Sequence, residues 1–83
     1  MYYVYLLRSF KNNDLYIGYT TDLKRRFADH NKGFVQTTKP NMPWKLIYYE
    51  AYIAKHDATR REKQLKNHRA KLDLQAQLRY SLT

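Results

Sequence analysis

Hydrophobic and polar positions divide the chain into three strand-like stretches and three helix-like stretches. Residues 2–8 and 15–19 are rich in tyrosine and aliphatic residues, and the polar segment 9–14 separates them. This arrangement predicts an antiparallel hairpin. A third strand is predicted over Trp44 to Tyr52. The first and third strands are apolar on both faces, which predicts a sheet covered by helices on both sides.

Alternation along the third strand assigns its side chains to faces. Trp44, Leu46 and Tyr48 fall on one face, and Ile47 and Tyr49 fall on the other. Side chains in a regular strand alternate between the two faces of the sheet.

Helical periodicity predicts a first helix from Asp22 to about Asn31. Thr20 or Thr21 is suited to the N-cap position, and Gly33 is suited to a left-handed residue that ends the helix. Residues 34–43 show no periodic pattern and include two prolines. They are therefore predicted to form a loop.

Two further helices are predicted near the C-terminal end. The first runs from Asp57 to about Asn67 with His56 or Asp57 as its cap, and the second runs from Arg69 to Leu82. Leucines at four-residue spacing suit the second one to cover the sheet. The predicted fold class is α+β: a small three-stranded antiparallel sheet flanked by helices, in the order β-β-α-β-α-α.

The length and composition predict a single domain over residues 1–83. The sequence has no cysteine, which excludes disulfides and thiolate metal sites. No apolar run approaches the roughly 20 residues of a membrane span. The N-terminal residues lack the pattern of a signal peptide. We therefore expect a cytoplasmic protein.

The balance of charge predicts an anionic partner. The net charge is +9, from 16 Lys and Arg against 7 Asp and Glu. Nucleic acid is the leading candidate. An anionic membrane surface is second, but no segment combines a basic face with a broad apolar face. A basic surface that serves only solubility is the alternative.

Two tyrosines of the hairpin are predicted to share a sheet face. If the turn contains an even number of residues, the pairing parity places Tyr5 and Tyr16 on the same face, opposed or diagonal. Tyr16 begins the stretch Tyr16-Ile17-Gly18, where the second strand meets a glycine before the first helix. A hydroxyl, a permissive backbone position and a helix N-terminus therefore lie close together.

Three polar residues of the helices are placed to join this stretch. Arg26 and His30 are four residues apart, so they share a helix face, about 60° from the line of apolar residues. They are expected at the edge of the buried stripe. Glu62 lies between Ala58 and Leu65 on the inward stripe of its helix. A carboxylate at such a position is costly unless it has a partner.

These segments together resemble the GIY-YIG nuclease superfamily, and specifically its small single-domain bacterial members. The first motif corresponds to Tyr3-Val4-Tyr5 and the second to Tyr16-Ile17-Gly18. The helix signature corresponds to residues 22–31, and the glutamate signature to residues 58–66. The similarity covers nearly the whole chain and includes the order and spacing of all four motifs.

The resemblance implies a role for each residue. Tyr5 corresponds to the general base that helps deprotonate the attacking water, and Tyr16 to the second tyrosine near the scissile phosphate. Arg26 corresponds to the arginine that holds the phosphate. His30 corresponds to a histidine that supports the tyrosine base in several members. Glu62 corresponds to the single carboxylate that binds one divalent metal. Gly18 corresponds to the glycine that keeps space at the strand end.

The implied cofactor is Mg2+ or another divalent cation such as Mn2+. Magnesium keeps several waters, so one carboxylate can suffice. A tyrosine with a free pKa of about 10 is too weakly ionised to act as a base at neutral pH. Nearby cationic charge from Arg26, the metal and a charged His30 is expected to lower the pKa of Tyr5.

The sequence therefore predicts an endonuclease that hydrolyses DNA phosphodiester bonds, with branched or damaged DNA as candidate substrates and RNA as an alternative. A second hypothesis is a nucleic-acid-binding module that retains the fold without useful hydrolysis. A third is a subunit that gains specificity from a partner or by dimerising.

Overall fold

The structure is a computed structural model, and it describes residues 1–82. The elements follow the predicted order, with a single 3₁₀ turn inside the predicted loop. They are β1 (Tyr2–Ser9), β2 (Leu15–Thr20), α1 (Leu23–Asn31), the turn Lys39–Asn41, β3 (Trp44–Tyr52), α2 (Lys55–Leu65) and α3 (His68–Gln77). The predicted α+β fold with a three-stranded antiparallel sheet is confirmed.

The sheet has the order β2-β1-β3, so β1 is central and β2 is an edge strand. Tyr5 pairs with Gly18, and Tyr16 pairs with Leu7. Tyr5 and Tyr16 are therefore diagonal neighbours on one face. The prediction from hairpin parity is confirmed.

The prediction for the faces of β3 is wrong in one respect. Leu6 pairs with Tyr48 while the next residue, Leu7, pairs with Leu46, so the register shifts at this point. One extra residue in a strand turns the following side chains to the other face. Trp44 and Leu46 consequently pack on the Tyr5 side of the sheet, whereas Tyr48 packs on the opposite side.

Each face of the sheet carries its own hydrophobic cluster. On one face, side chains of β1 and β2 pack against α2 and α3, and the buried members are Val4, Leu6, Ile17, Ala58, Leu65 and Leu74. On the other face the buried members are Tyr5, Leu7 and Trp44, with Leu23 and Phe27 of α1 packed against them. The two proposed site tyrosines belong to this second face.

The helix boundaries differ from the predicted ones because other residues provide the caps. Asp22 is the N-cap of α1, and its side chain accepts a bond from the Arg25 amide at 3.1 Å. The Thr20 hydroxyl instead accepts from the amide of Asp22 at 3.1 Å. Gly33 has a φ of 76°, which confirms its predicted left-handed conformation.

The second helix begins and ends two residues earlier than predicted. It starts at Lys55 after Ala54, which is extended and provides no side-chain cap. It ends at Leu65 because Asn67 caps α3 by accepting from the Arg69 amide at 3.0 Å. α3 ends at Gln77, short of the predicted Leu82. No helix within residues 1–82 is long and apolar enough to cross a membrane.

Candidate active site

The site is built around the buried side chain of Tyr5, which is 1% exposed. Its ring extends from the central strand across Gly18 of the edge strand. A Cβ atom at position 18 would lie 2.4 Å from both Cζ and Oη of Tyr5. Only glycine therefore permits this ring position, and the phenol hydroxyl reaches the β2 edge of the sheet.

A hydrogen-bonded chain leads from Tyr5 into the protein interior. The Tyr5 hydroxyl lies 2.8 Å from Nε2 of His30, and Nδ1 of His30 lies 2.7 Å from Oγ1 of Thr38. His30 is fully buried. Its predicted position at the edge of the stripe is therefore wrong, because the loop that carries Val35 and Thr38 covers this end of α1.

The imidazole of His30 is neutral near pH 7. Burial lowers the pKa of His30 to about 4, and the charge of Arg26 adds to this effect, while Asp29 opposes it. His30 therefore supplies no positive charge to Tyr5, contrary to the expectation from the sequence. Both of its ring nitrogens have hydrogen-bond partners, so His30 links the Tyr5 hydroxyl to the Thr38 hydroxyl.

Tyr16 is half-buried beside this pair. Its ring centroid lies 5.1 Å from that of His30 and 6.3 Å from that of Tyr5. The ring centroid of Trp44 also lies 6.3 Å from that of Tyr16, so Tyr16 contacts three aromatic rings. The Tyr16–His30 pair is edge-to-face, which is a favoured arrangement of aromatic rings, and the other two pairs are tilted.

Arg26 and Glu62 act on the Tyr5 hydroxyl in opposite directions. Burial raises the pKa of Tyr5 to about 12; the Arg26 guanidinium lowers it by hydrogen bonding and by charge, and Tyr16 and Glu62 raise it. The net effect is opposite to the lowered pKa expected from the sequence, because burial outweighs the nearby cation. Arg26 and Glu62 are both close enough to influence the same oxygen.

Glu62 reaches this region from α2, on the other side of the sheet from α1. Its carboxylate is 24% exposed and lies 3.4 Å from the Lys66 ammonium, one helical turn away. The partner that the sequence analysis required for Glu62 is therefore Lys66, a lysine that is itself partly exposed. The extension of the Tyr5 ring across the edge strand brings its hydroxyl within the field of Glu62.

The donor set suits only a metal that needs few protein ligands. No group of three or more His, Cys, Asp or Glu side chains within residues 1–82 could enclose an ion. A single accessible carboxylate is compatible with a hard divalent cation that retains its waters, as Mg2+ does. Glu62 fits this description, because its carboxylate is partly exposed and only one of its oxygens contacts Lys66.

Thr38 was not identified as a site residue from the sequence. It lies in a segment without periodicity, next to Thr37 and among polar and proline residues. Nothing in the local sequence distinguishes one threonine from the other. Only the folded loop reveals that Thr38 is 1% exposed and bonded to His30.

The site thus consists of a buried tyrosine hydroxyl on a small three-stranded antiparallel sheet, with Arg26 and Glu62 both influencing that hydroxyl. The family model described as the GIY-YIG catalytic domain matches residues 1–75. The chain belongs to the GIY-YIG family.

Its relatives place it near a group of small bacterial proteins named UPF0213. It is 42% identical over 66 residues to a UPF0213 protein of Staphylococcus haemolyticus. The match covers 78% of this chain and 79% of that protein. It is 44% identical over 61 residues to one of Streptococcus agalactiae, with 72% and 68% covered. These names state no activity.

A solved structure has the same fold. The solution NMR structure of the UPF0213 protein BH0048 from Bacillus halodurans matches with a TM-score of 0.58 and 35% identity. The match covers 92% of this chain and 84% of that one.

Proposed function

We propose that residues 1–83 form a single nuclease domain, a cytoplasmic, metal-dependent endonuclease that hydrolyses DNA phosphodiester bonds. The observation that carries the proposal is the Tyr5 hydroxyl: His30 lies 2.8 Å from it, and Arg26 and Glu62 both influence it. A hydrogen-bonded hydroxyl that can pass on a proton, a cation for the phosphate and a carboxylate for a metal are groups suited to phosphodiester hydrolysis. The net charge of +9 favours a nucleic-acid substrate.

The proposed reaction forms one bond from a water oxygen to phosphorus and breaks the bond from phosphorus to the leaving oxygen. Tyr5 accepts a proton from the attacking water as its own proton passes to Nε2 of His30. With the pKa of Tyr5 at about 12 and that of His30 at about 4, both groups are neutral at rest. The proton transfers must therefore accompany the attack of water, and the proton on His30 finally returns to the solvent or the leaving group.

Arg26 is proposed to bind the scissile phosphate. It is half-buried on the face of α1 that carries His30, so part of its side chain is accessible to a phosphate. Planar guanidinium groups bind phosphate oxygens in a bidentate manner. The same guanidinium lowers the pKa of Tyr5 by hydrogen bonding and by charge.

Glu62 is proposed to hold the divalent cation. When bound there, the cation supplies charge that stabilises the oxygens of the phosphoryl group in the transition state. Tyr16 is proposed to donate a hydrogen bond to the phosphate from its half-buried position. Branched or damaged DNA remains the proposed substrate structure.

The test is cleavage of labelled DNA by the wild type and by Tyr5→Phe. The panel contains single-stranded, nicked and branched DNA, with magnesium and with EDTA. We expect magnesium-dependent cleavage that falls by roughly 10²–10⁴-fold in Tyr5→Phe. Tyr19→Phe is the matched control, because Tyr19 lies on the same strand as Tyr16 but packs on the other face. Equal rates for the two variants would remove Tyr5 from the mechanism.

One observation favours the second function, a binding module without useful hydrolysis. Tyr5 is 1% exposed, and its pKa lies far above neutrality. If the hydroxyl stays shielded when DNA binds, the basic surface can still bind phosphates. Salt-sensitive binding that Arg26→Ala leaves unchanged, together with no cleavage of any substrate in the panel, would favour this function.

A further inference from the structure

Thr38 forms the inner end of the buried chain that starts at Tyr5. Its Oγ1 lies 2.7 Å from Nδ1 of His30 and donates to the carbonyl of Val35 at 3.3 Å. Tyr5, His30 and Thr38 are each at most 1% exposed. Water is therefore excluded from the inner bonds, and the protons within the chain must be shared among these groups.

The number of available protons restricts how the chain can be arranged. A neutral imidazole carries one N–H, and a hydroxyl carries one O–H. If Thr38 donates to Val35, its oxygen is left to accept from Nδ1–H of His30. Nε2 then has no proton and can accept from the Tyr5 hydroxyl. Every bond in this arrangement has one donor and one acceptor.

The reverse arrangement would make Nε2 the donor to Tyr5. Thr38 would then have to donate to Nδ1, and its single proton would no longer reach the Val35 carbonyl. The phenol would face a donor instead of an acceptor. That state could not receive a proton from Tyr5.

The backbone around Thr38 is held in place by contacts to β3 and α1. The Trp44 indole donates to the Thr38 carbonyl at 2.9 Å, and the Thr38 amide donates to Val35 at 3.1 Å. The side chain of Asn31, at the end of α1, bonds the backbone of Trp44 at 2.6 and 2.8 Å. One tryptophan therefore connects the helix that carries His30 to the loop that carries Thr38.

We propose that Thr38 is a positioning residue that holds His30 in the Nδ1–H tautomer, with Nε2 turned as an acceptor toward the Tyr5 hydroxyl. The proposed consequence for hydrolysis rests on the proposed function, but the tautomer itself does not. Groups that orient a histidine in this way decide which nitrogen carries the proton.

The direct test is long-range ¹H–¹⁵N correlation of histidine side chains in ¹⁵N-labelled protein near pH 7. We expect Nδ1 of His30 to be protonated and Nε2 to be unprotonated in the wild type and in Thr38→Ser. Thr38→Val keeps the shape of the side chain but removes the hydroxyl, so the Nε2–H form should appear. His56 and His68 are exposed and serve as internal references.

Two results would overturn the proposal: a wild-type His30 in the Nε2–H form, or an unchanged tautomer in folded Thr38→Val. Since the first result needs only the wild type, the test does not depend on the folding of a variant. Thr38→Ala, which adds no branched group, provides a second variant if Thr38→Val does not fold.

Cleavage assays then separate the positioning role from the nuclease function. We expect kcat to fall roughly 10²-fold in Thr38→Val with little change in KM, and to recover in Thr38→Ser. If the wild type cleaves none of the substrates, the proposed function fails, while the tautomer measurement still decides the role of Thr38. Full activity in Thr38→Val with an altered tautomer would show that positioning by Thr38 is not needed for hydrolysis.

Discussion

The phenol ring of Tyr5 occupies the space that a side chain at position 18 would need. In Gly18→Ala the new Cβ would meet the ring at 2.4 Å, so the ring or the edge strand must move. We expect a loss of about 1–3 kcal/mol in the free energy of unfolding, as for other overpacked sites. We also expect cleavage to fall about tenfold or more, because the hydroxyl is displaced. Urea denaturation and the DNA assay measure the two effects.

Gly33→Ala is the matched control for this substitution. Its Cβ would have no neighbour nearer than 3.5 Å, but its φ of 76° is strained for alanine. This strain should cost about 1–2 kcal/mol in stability without displacing Tyr5. A Gly18→Ala protein as stable and as active as the wild type would contradict the assigned ring position.

The buried His30 makes stability depend on pH in the mildly acidic range. Its pKa falls from 6.5 in the unfolded chain to about 4 in the folded protein, so the unfolded state binds the proton more tightly. The stabilisation is complete above pH 6.5 and is lost as the pH falls through about 4. It amounts to about 3 kcal/mol, from 1.36 kcal/mol for each pKa unit.

Denaturation of the wild type and of His30→Gln across this pH range tests the prediction. Glutamine retains hydrogen-bonding groups but does not titrate there. The difference in free energy of unfolding between the two proteins should shrink as the pH falls from 6.5 to 4. Parallel curves would mean that His30 titrates normally in the folded state.

Residue positions governed by a strict period were predictable from the sequence. The two-residue period of a strand, together with a turn of even length, places Tyr5 and Tyr16 on one face. The burial of His30 was not predictable, because its cover comes from the aperiodic loop around Val35 and Thr38. The raised pKa of Tyr5 follows from the burial of its own side chain, so the sequence indicated the wrong direction.

At the scale of elements, a half-buried acidic group, the carboxylate of Glu50, joins α2 to β3. The Glu50 carboxylate accepts from the Arg61 guanidinium, with Nε–H donating at 2.8 Å and a second nitrogen at 3.0 Å. The hydroxyls of Tyr48 and Tyr52 also donate to it. Arg61 directly precedes Glu62 in α2. The contact therefore also fixes the helix that carries the proposed metal ligand.

Glu50→Gln should weaken this attachment by about 1–3 kcal/mol in the free energy of unfolding, because the bonds involve charged groups. Burial tends to raise the pKa of Glu50, but the bonds from Arg61, Tyr48 and Tyr52 outweigh it and hold the pKa below its ordinary value. This stabilisation is present above the unfolded pKa of about 4.5 and is lost as the pH falls through the folded value.

Chemical denaturation at pH 7 and at lower pH checks the effect, with Asp57→Asn as the control. Asp57 pairs with Arg60 at 3.5 Å on the exposed side of the same helix, and such pairs contribute less than about 1 kcal/mol. The Glu50→Gln protein should lose less stability on acidification than the wild type. Equal losses in Glu50→Gln and Asp57→Asn at pH 7 would contradict a role for Glu50 in anchoring α2.

The order and type of every element were predictable, but the boundaries were not. Asp22 and Asn67 cap their helices through bonds to amides two or three residues ahead, and neighbouring polar residues offered equally plausible caps. The bulge in β3 has no local signal, since Ile47 and Tyr48 suit either face. Tertiary packing decides such cases.

At the scale of the whole molecule, the positive charge predicts salt-dependent binding to DNA. Arg60, Lys63 and Arg69 line a groove between α2 and α3. Each phosphate contact contributes about −0.9 to the slope of log K against log salt concentration for duplex DNA. Replacing these three residues by glutamine should lower the magnitude of that slope by up to about 3 and weaken binding to all sequences alike.

Fluorescence anisotropy with labelled DNA at several salt concentrations measures the slope. Lys11→Gln is a single-charge control at the hairpin turn, where the ammonium donates to the Pro40 carbonyl. A slope unchanged in the triple variant would mean that DNA does not contact the groove. The order of the motifs is sufficient to identify the family. The sequence alone does not show that Arg60, Lys63 and Arg69 line one groove; this requires the fold.

The proposed site combines residues from both sides of the sheet. Tyr5 packs on the α1 side, whereas α2 covers the opposite face. The Tyr5 ring crosses the edge strand at Gly18, and the charge of Glu62 raises the pKa of its hydroxyl. The sequence indicated that Glu62 needs a partner, but not that this partner is Lys66, one helical turn away.

The central claim, that Glu62 and Tyr5 serve one phosphodiester site, is tested most directly by magnesium-dependent cleavage of labelled DNA by Glu62→Ala. Asp57→Ala removes a carboxylate from the same helix and changes the net charge equally. We predict that Asp57→Ala retains wild-type cleavage, whereas Glu62→Ala loses about 10²-fold or more while its affinity for DNA is retained. An active wild type with undiminished cleavage in Glu62→Ala would contradict the claim.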